Sequence, residues 1–216
     1  ARNFGVHSRF IDGTMLEPGF ELDELCAPVI ALDRYVEKTG DTAFAARPFV
    51  RDGLEAILRR MEAKKHPSVP MYETFLQPTD DMHNHIYLTY DNALVCYALR
   101  ALAKLLNRPE LAEEAERTRR AVYKHCVKEQ NHKRFFAWSV DLNGHYDIYD
   151  EPPGSLLLLP FYGFCEAEDP IWQNTAAMIR DESYALSFAG HPIAEIGCKH
   201  APHPWILSIC NSLLSG

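Results

Sequence analysis

Apolar residues recur at helical spacing along most of this chain. A period of about 3.6 residues predicts an amphipathic α-helix wherever it is sustained over three or four turns. The first such stripe stops at Gly40, and a glycine just after the last apolar position is typical of a helix C-terminus. The stripes, each of which we predict to be a helix, run through residues 22–36, 49–61, 94–106 and 111–126.

The period changes in the second half of the chain. Residues 134–140 and 145–149 flank Asp141-Leu142-Asn143-Gly144, and an Asn-Gly turn between two such segments predicts a small β-hairpin near 134–149. Paired helices with loops at a common end favour a helical toroid over a compact bundle. Short helices are predicted at 156–162, 170–180 and 204–214, and polar, aromatic loops at 72–85, 145–155 and 191–205.

Length and charge limit the classes of function. The 216 residues suit a single domain spanning 1–216, and the net charge of -8 argues against a nucleic acid or an anionic membrane as partner. No apolar run approaches the length of a membrane span. The six cysteines are scattered and none forms a CxxC pair, which favours reduced thiols and a cytoplasmic protein.

The densest group of polar side chains lies in the segment from Gln77 to His85, just before an apolar helical stripe. Asp80 and Asp81 are adjacent there, and carboxylates on a loop that a helix holds in place can serve as acid, base or acceptor for sugar hydroxyls. A simpler interpretation is a helix N-cap, in which one of these side chains satisfies free amide groups. A cap needs one such residue and does not account for the whole cluster.

A metal site is the sharpest competing interpretation of this segment. His83 and His85 with Asp80 supply imidazole and carboxylate ligands, and His200 and His203 could add to them. Two histidines in a His-x-His pair share a face when they lie on a strand, and no strand is evident here. We therefore predict no metal and no other cofactor.

Several blocks of the sequence occur in the order found in one known family, and together they cover nearly the whole chain. Pro78-Thr79-Asp80-Asp81 resembles the Pro-Ser-Asp-Asp loop of glycoside hydrolase family 125, and Ile196-Gly197-Cys198-Lys199-His200 resembles its Gly-Ser-Pro-His block. The other blocks that resemble this family are 20–26, 37–42, 155–164, 169–175 and Trp205.

This resemblance implies a fold and an activity. Members of the family are metal-independent exo-α-1,6-mannosidases with an (α/α)6 barrel. It therefore implies an all-α fold of (α/α)6 toroid-type hairpins and inverting hydrolysis of terminal α-linked mannose, with a carbohydrate as the partner. The general acid of the family maps to Asp80 or Asp81, and both remain candidates.

Further residues are predicted to bind the substrate. The acidic turn before the leucine-rich block maps to Asp150 and Glu151, and the histidine of the family's last block maps to His200. Aromatic side chains near the loops suit stacking on sugar rings, although ordinary core packing is the commoner role for any one of them. The complete predicted substrate-binding set is His83, Tyr72, Asp150, Glu151, His200 and Trp205.

The chain also departs from the family pattern. Gln77 stands where the family has Arg, and the family's N-terminal Arg-Asp motif and C-terminal Glu base have no counterpart here. We therefore expect an internal part of a longer catalytic domain and a partial barrel, with the general base outside this chain. Within the chain, Glu195 and Glu151 are the loop carboxylates to consider as base. The alternatives are another (α/α)6 glycosidase acting on α-glucosides and a non-catalytic carbohydrate-binding or scaffold module. The oligomeric state stays open.

Overall fold

Helices form the framework of the protein. A computed structural model describes residues 3–215. The helices are α1 (Leu22–Thr39), α2 (Thr42–Ala45), α3 (Pro48–Glu62), α4 (Thr89–Leu106), α5 (Glu110–His125), α6 (Pro170–Ile179) and α7 (Ile206–Ser215). The strands are β1 (Tyr87–Leu88), β2 (Val127–Gln130), β3 (Lys133–Phe136), β4 (Ser139–Val140) and β5 (Tyr146–Asp147). Helices were predicted in all four long stripes, and each of those predictions is confirmed.

Helix α4 is the centre of the core. It is apolar on most of its surface, so it is buried between α5 on one side and α1 on the other. Asn107 ends it in the left-handed conformation with φ 57°, and the short connection that follows makes α5 its hairpin partner. Gly40 ends α1 in the same way with φ 72°. The predicted stop at Gly40 is thus confirmed.

The predicted β-hairpin is present but shorter than expected. Strands β4 and β5 pair across the Asp141–Gly144 turn, with Val140 opposite Tyr146, and β1 adds a third strand. Residues 134–136 instead pair with β2, a strand that was not predicted from the sequence. The cause is the two-residue turn Asn131-His132, in which both residues have positive φ and the chain reverses as in a primed hairpin turn.

One predicted helix is wrong. Residues 156–162 form only a single 3-10 turn, Leu156–Leu158, before the chain turns away. Pro160 accounts for this, because its ring lacks an N–H and clashes with a continuing helix. Among residues 3–215, no helix is long and apolar enough to cross a membrane.

The start of α4 anchors the loop that precedes it. The buried Asn92 accepts a hydrogen bond from the Tyr72 N–H and donates to the Tyr72 carbonyl. Two residues on, Thr74 Oγ1 accepts from the first amide of α1, Leu22 N, at 3.1 Å. These bonds fix the loop across the N-terminal ends of α1 and α4. Carboxylates from both helices are thereby brought to the loop that carries Asp80.

Candidate active site

The segment 77–81 is a tight turn that presents two carboxylates in different directions. Gln77 N donates to the Asp81 carbonyl at 3.0 Å, and Asp80 N donates to the Gln77 carbonyl at 2.9 Å. The turn closes because Asp80 adopts the left-handed conformation, with φ 61°. A non-glycine residue in this region carries a strain of about 1 kcal/mol or more, and such strain persists only where surrounding contacts hold it.

Glu151 supplies those contacts from the far side of the turn. Its carboxylate is fully buried and accepts from Gln77 Nε2 at 3.0 Å and from the Thr79 hydroxyl at 3.1 Å. Tyr149 OH donates to the same carboxylate and accepts from Lys199 N. Burial raises the pKa of Glu151 to about 7, against the opposing effect of the bonds from Thr79 and Tyr149. Glu151 thus joins two of the three predicted loops directly, and Tyr149 links it to the third, 191–205.

Asp81 faces the third of these loops. Its Oδ2 lies 3.0 Å from His200 Nδ1, and both side chains are about half exposed. The structure therefore brings together Asp81 and His200, two predicted site residues that are 119 positions apart in the chain.

Asp80 faces the opposite way, toward the N-terminal end of α1. Ligand atoms of Asp80, His7 and Glu21 all lie within 4.8 Å of one another. Glu21 is buried, with only 2% of its surface exposed, whereas the Asp80 side chain is 54% exposed. Burial, followed by the charges of Asp23 and Asp80, raises the pKa of Glu21 to about 8. Near neutral pH the Glu21 carboxyl therefore keeps its proton.

Two more carboxyl groups, those of Asp23 and Asp91, lie near Glu21. Asp23 opens α1 and Asp91 lies in the first turn of α4. Asp91 is fully buried, and neither of its carboxyl oxygens has a hydrogen-bond partner in the described part of the chain. Burial, and then the charges of Asp23 and Glu21, raise the pKa of Asp91 well above its usual range. None of Glu21, Asp23 and Asp91 was predicted from the sequence to belong to the site.

The other predicted substrate contacts have mixed outcomes. Tyr72 is fully buried and donates to Glu114, so its side chain does not reach the surface in this structure. Asp150 is also buried, and its oxygens accept from the Ser155 hydroxyl and Leu156 N, each at 2.7 Å. Asp150 therefore holds the 3-10 turn in place and is not exposed to a ligand. Trp205 is half-buried and donates to the Ala201 carbonyl.

The competing interpretations of the loop can also be judged. Leu88 is the N-cap of α4 and no side chain caps this helix, so the simple cap interpretation is wrong. The His83 and His85 rings do not converge: His83 Nδ1 lies against the His85 carbonyl, while His85 Nε2 lies 3.9 Å from Asp147. Between residues 3 and 215, the one set of three clustered ligating side chains is His7, Glu21 and Asp80.

That set has mixed imidazole and carboxylate ligands of a kind that can bind a divalent cation. Metal binding requires deprotonated ligands, so a cation there would have to displace the proton that Glu21, with a pKa of about 8, holds near neutral pH.

Comparisons with known proteins agree with this architecture. A sequence model described as "Metal-independent alpha-mannosidase (GH125)" matches residues 63–215. No curated protein matches the chain. The fold is similar to that of a Streptococcus pneumoniae protein from a family of metal-independent alpha mannosidases, solved as a non-productive complex with alpha-1,6-mannobiose (TM-score 0.84, 18% identity).

This likeness covers 100% of the chain and 61% of that protein, so the chain spans less than two thirds of its length. A GH78 family rhamnosidase of Bacillus sp. GL1 is more distantly similar (TM-score 0.57, 17% identity), over 76% of this chain and 18% of the rhamnosidase. The predicted (α/α)6-type fold is confirmed by the first likeness.

Proposed function

The chain belongs to glycoside hydrolase family 125, and from this membership we propose that it acts in the exo-type, inverting hydrolysis of terminal α-linked mannose. The observation that supports the proposal most is the pair of loop carboxylates with different environments. Inverting hydrolysis needs a carboxyl group that donates a proton to the leaving oxygen, and a second carboxylate across the sugar ring. Asp80 lies beside the buried Glu21 and Asp81 beside His200, so the two loop carboxylates are suited to different roles.

Asp80 is our proposed general acid. It is the accessible carboxylate of the two, and the buried Glu21 carboxyl beside it can supply it with a proton. Asp81 is less suited to this role, because its close partner is the His200 imidazole, at 3.0 Å, and not a buried carboxyl group. We assign Asp81 and His200 to binding sugar hydroxyls and to orienting the loop.

The general base is not assigned to either loop carboxylate considered from the sequence. Glu151 is fully buried and accepts hydrogen bonds from three side chains, so it has no access to a water beside the sugar. Glu195 accepts from the Ser208 and Ser212 hydroxyls of α7. We propose that Glu151 positions the catalytic loop and that Glu195 stabilises the α7 region.

The leaving group provides the sharpest test of the acid. The protein expressed from its complete open reading frame would be assayed with α-1,6-mannobiose and with dinitrophenyl α-mannoside, whose leaving group needs no proton. We expect Asp80→Asn to reduce mannobiose hydrolysis by about 10²–10⁴-fold and to affect the activated substrate far less. Asp81→Asn should reduce both rates to a similar extent.

Asp141→Asn is the matched control. Asp141 also pairs with a histidine, His145 Nδ1 at 2.7 Å, but on the β4–β5 turn. The Asp141→Asn variant should hydrolyse both substrates at wild-type rates. Leaving-group dependence in Asp81→Asn instead of Asp80→Asn would reverse the assignment. Preferred turnover of an aryl α-glucoside would favour the α-glucosidase alternative, and sugar binding without turnover would favour the non-catalytic module.

We also propose that the protein works in a reducing compartment such as the cytoplasm. The described cysteines are all free thiols, and five of them are buried. Titration of the protein, denatured directly from cells under thiol-trapping conditions, should give six reactive thiols.

A further inference from the structure

The N-terminal segment brings a histidine to the buried carboxyl group that lies beside Asp80. Val6 forms an antiparallel bridge with Phe20, and Glu21 N donates to the Gly5 carbonyl at 3.1 Å. Val6 is fully buried, so this segment is anchored against the start of α1. Because neighbouring residues of an extended chain point in alternate directions, His7 and Glu21 emerge on the same face of the bridge.

The two facing atoms of His7 and Glu21 are buried and have no hydrogen-bond partner. His7 Nδ1 lies 2.8 Å from Glu21 Oε1, but the angle of approach is not that of a hydrogen bond, and neither atom has another partner in residues 3–215. Glu21 is only 2% exposed, so water does not replace the missing partner from outside. Buried polar atoms without partners are rare in native proteins, and a bound ion is one explanation.

The distances between the three ligand atoms suit a zinc ion. Zinc binds imidazole nitrogen and carboxylate oxygen at about 2.0–2.2 Å, so two ligands of a tetrahedral site lie about 3.3 Å apart. His7 Nδ1 lies 2.8 Å from Glu21 Oε1 and 4.0 Å from Asp80 Oδ1, and these separations bracket the tetrahedral value. Asp80 is half exposed, so its side chain has room to rotate toward the ion. An imidazole with two carboxylates is also a donor set that zinc accepts.

A further carboxylate orients the imidazole from behind. His7 Nε2 lies 3.2 Å from Glu17 Oε2. A carboxylate can only accept, so a neutral His7 carries its proton on Nε2 and turns the lone pair of Nδ1 toward Glu21 and Asp80. Histidines that bind metals in proteins almost always donate their other ring nitrogen to a carboxylate, a carbonyl or a water. His7 has this arrangement.

We propose that His7, Glu21 and Asp80 form a zinc-binding site, and that zinc bound there inhibits hydrolysis. The ion replaces the proton that Glu21 holds, and this proton goes to water. The exposed side of Asp80 provides an entry path, and a water can take the fourth position of the tetrahedron. A carboxylate that coordinates zinc cannot give a proton to the leaving oxygen. The inhibition therefore rests on the proposed role of Asp80, whereas the zinc site itself does not.

Calorimetric titration with zinc chloride alone measures the site directly. Protein from the complete open reading frame, without a polyhistidine tag, would be stripped with EDTA and dialysed. Titration to about 1 mM zinc covers micromolar dissociation constants. We expect saturable binding that is lost in His7→Gln and in Asp80→Asn. Glu17→Ala should weaken zinc binding by about ten- to a hundredfold, because the imidazole loses the acceptor that orients it.

Two matched variants control for the lost charge and the lost imidazole. Asp81→Asn makes the same change at the neighbouring carboxylate, and His145→Gln removes an imidazole that pairs with Asp141. Neither residue belongs to the three-ligand set, so both variants should bind zinc as the wild type does. Glu17 is exposed, so Glu17→Ala tests the site even if His7→Gln does not fold. The proposal is overturned if the wild type shows no saturable binding, or if Glu17→Ala binds zinc as tightly as His145→Gln.

The activity assay separates this proposal from the catalytic one. Zinc should reduce the hydrolysis of α-1,6-mannobiose at the concentrations at which it binds. It should inhibit the hydrolysis of dinitrophenyl α-mannoside less, because that leaving group needs no proton. Zinc binding that leaves mannobiose hydrolysis unchanged would contradict the inhibition. Hydrolysis that depends on Asp80, in a protein that binds no zinc, would support the proposed function and exclude the zinc site.

Discussion

The Glu151 carboxylate permits a quantitative test of how the catalytic loop is held. Glu151→Gln keeps the shape of the side chain. The amide oxygen can accept from Gln77 and Tyr149, as Oε2 does now, and the amide N–H₂ can donate to the Thr79 hydroxyl, which can reverse its role. Glu151→Ala instead leaves three donors without an acceptor. At about 1–3 kcal/mol for each unsatisfied buried group, and with some relief from rotating hydroxyls, we expect a loss of about 3–5 kcal/mol.

The ionisation of Glu151 makes the free energy of unfolding depend on pH. The pKa of Glu151 rises from 4.5 to about 7 on folding, so between these values the folded protein binds more protons than the unfolded chain. Its contribution to the free energy of unfolding is therefore fully present below pH 4.5 and falls as the pH rises to about 7. At 1.36 kcal/mol per pKa unit, the loss approaches about 3 kcal/mol.

Glutamine cannot ionise, so Glu151→Gln avoids this loss. The difference in melting temperature between the variant and the wild type should therefore change with pH. Between pH 4.5 and 7 it should shift in favour of the variant by about 6–12 °C for a chain of this size. The control is Glu195→Gln, because the Glu195 carboxylate accepts hydrogen bonds from α7 and not from the catalytic loop. A gap between variant and wild type that does not change with pH, or a Glu151→Ala variant as stable as the wild type, would refute this account of the loop.

Two other predictions concern the metal and the packing under the loop. Because the chain belongs to a family described as metal-independent, hydrolysis should survive exhaustive treatment with EDTA. Loss of activity that zinc restores would instead make His7, Glu21 and Asp80 a metal site that hydrolysis needs. Gly154→Ala should lower the free energy of unfolding by about 1–3 kcal/mol, measured by chemical denaturation. The added Cβ would lie 2.7 Å from Pro78 Cγ and 3.2 Å from the Trp138 ring. An unchanged unfolding midpoint would show that the loop moves aside without strain.

The sequence predicts those parts of the protein that depend on local patterns. The helical stripes end where a left-handed residue such as Gly40 or Asn107 ends them, and the Asn143-Gly144 pair marks its turn correctly. The β2–β3 hairpin was missed because its turn, Asn131-His132, contains no glycine although both residues have positive φ. The helix predicted at 156–162 was too long because the apolar run was given more weight than Pro160, which stops it.

The candidate site was predicted less completely, because its members depend on long-range packing. Asp80, Asp81 and His200 could be found from motifs in single loops. Glu21 and Asp91 become part of the site only because α1 and α4 begin beside the same loop. Burial changed the interpretation of others: Tyr72 and Asp150 have the right chemistry for a sugar contact but lie inside the protein.

The distance along the chain between the site residues has a consequence for the order of folding. The α4–α5 hairpin forms from neighbouring residues, whereas Gln77 and Glu151 are 74 positions apart and Asp81 and His200 are 119. Closing such loops costs entropy that only the finished contacts offset, so non-local pairings form late. During refolding the helical content should therefore be complete while the carboxylates of the catalytic loop are still far from their partners. A chain emerging from synthesis becomes helical well before it acquires a site.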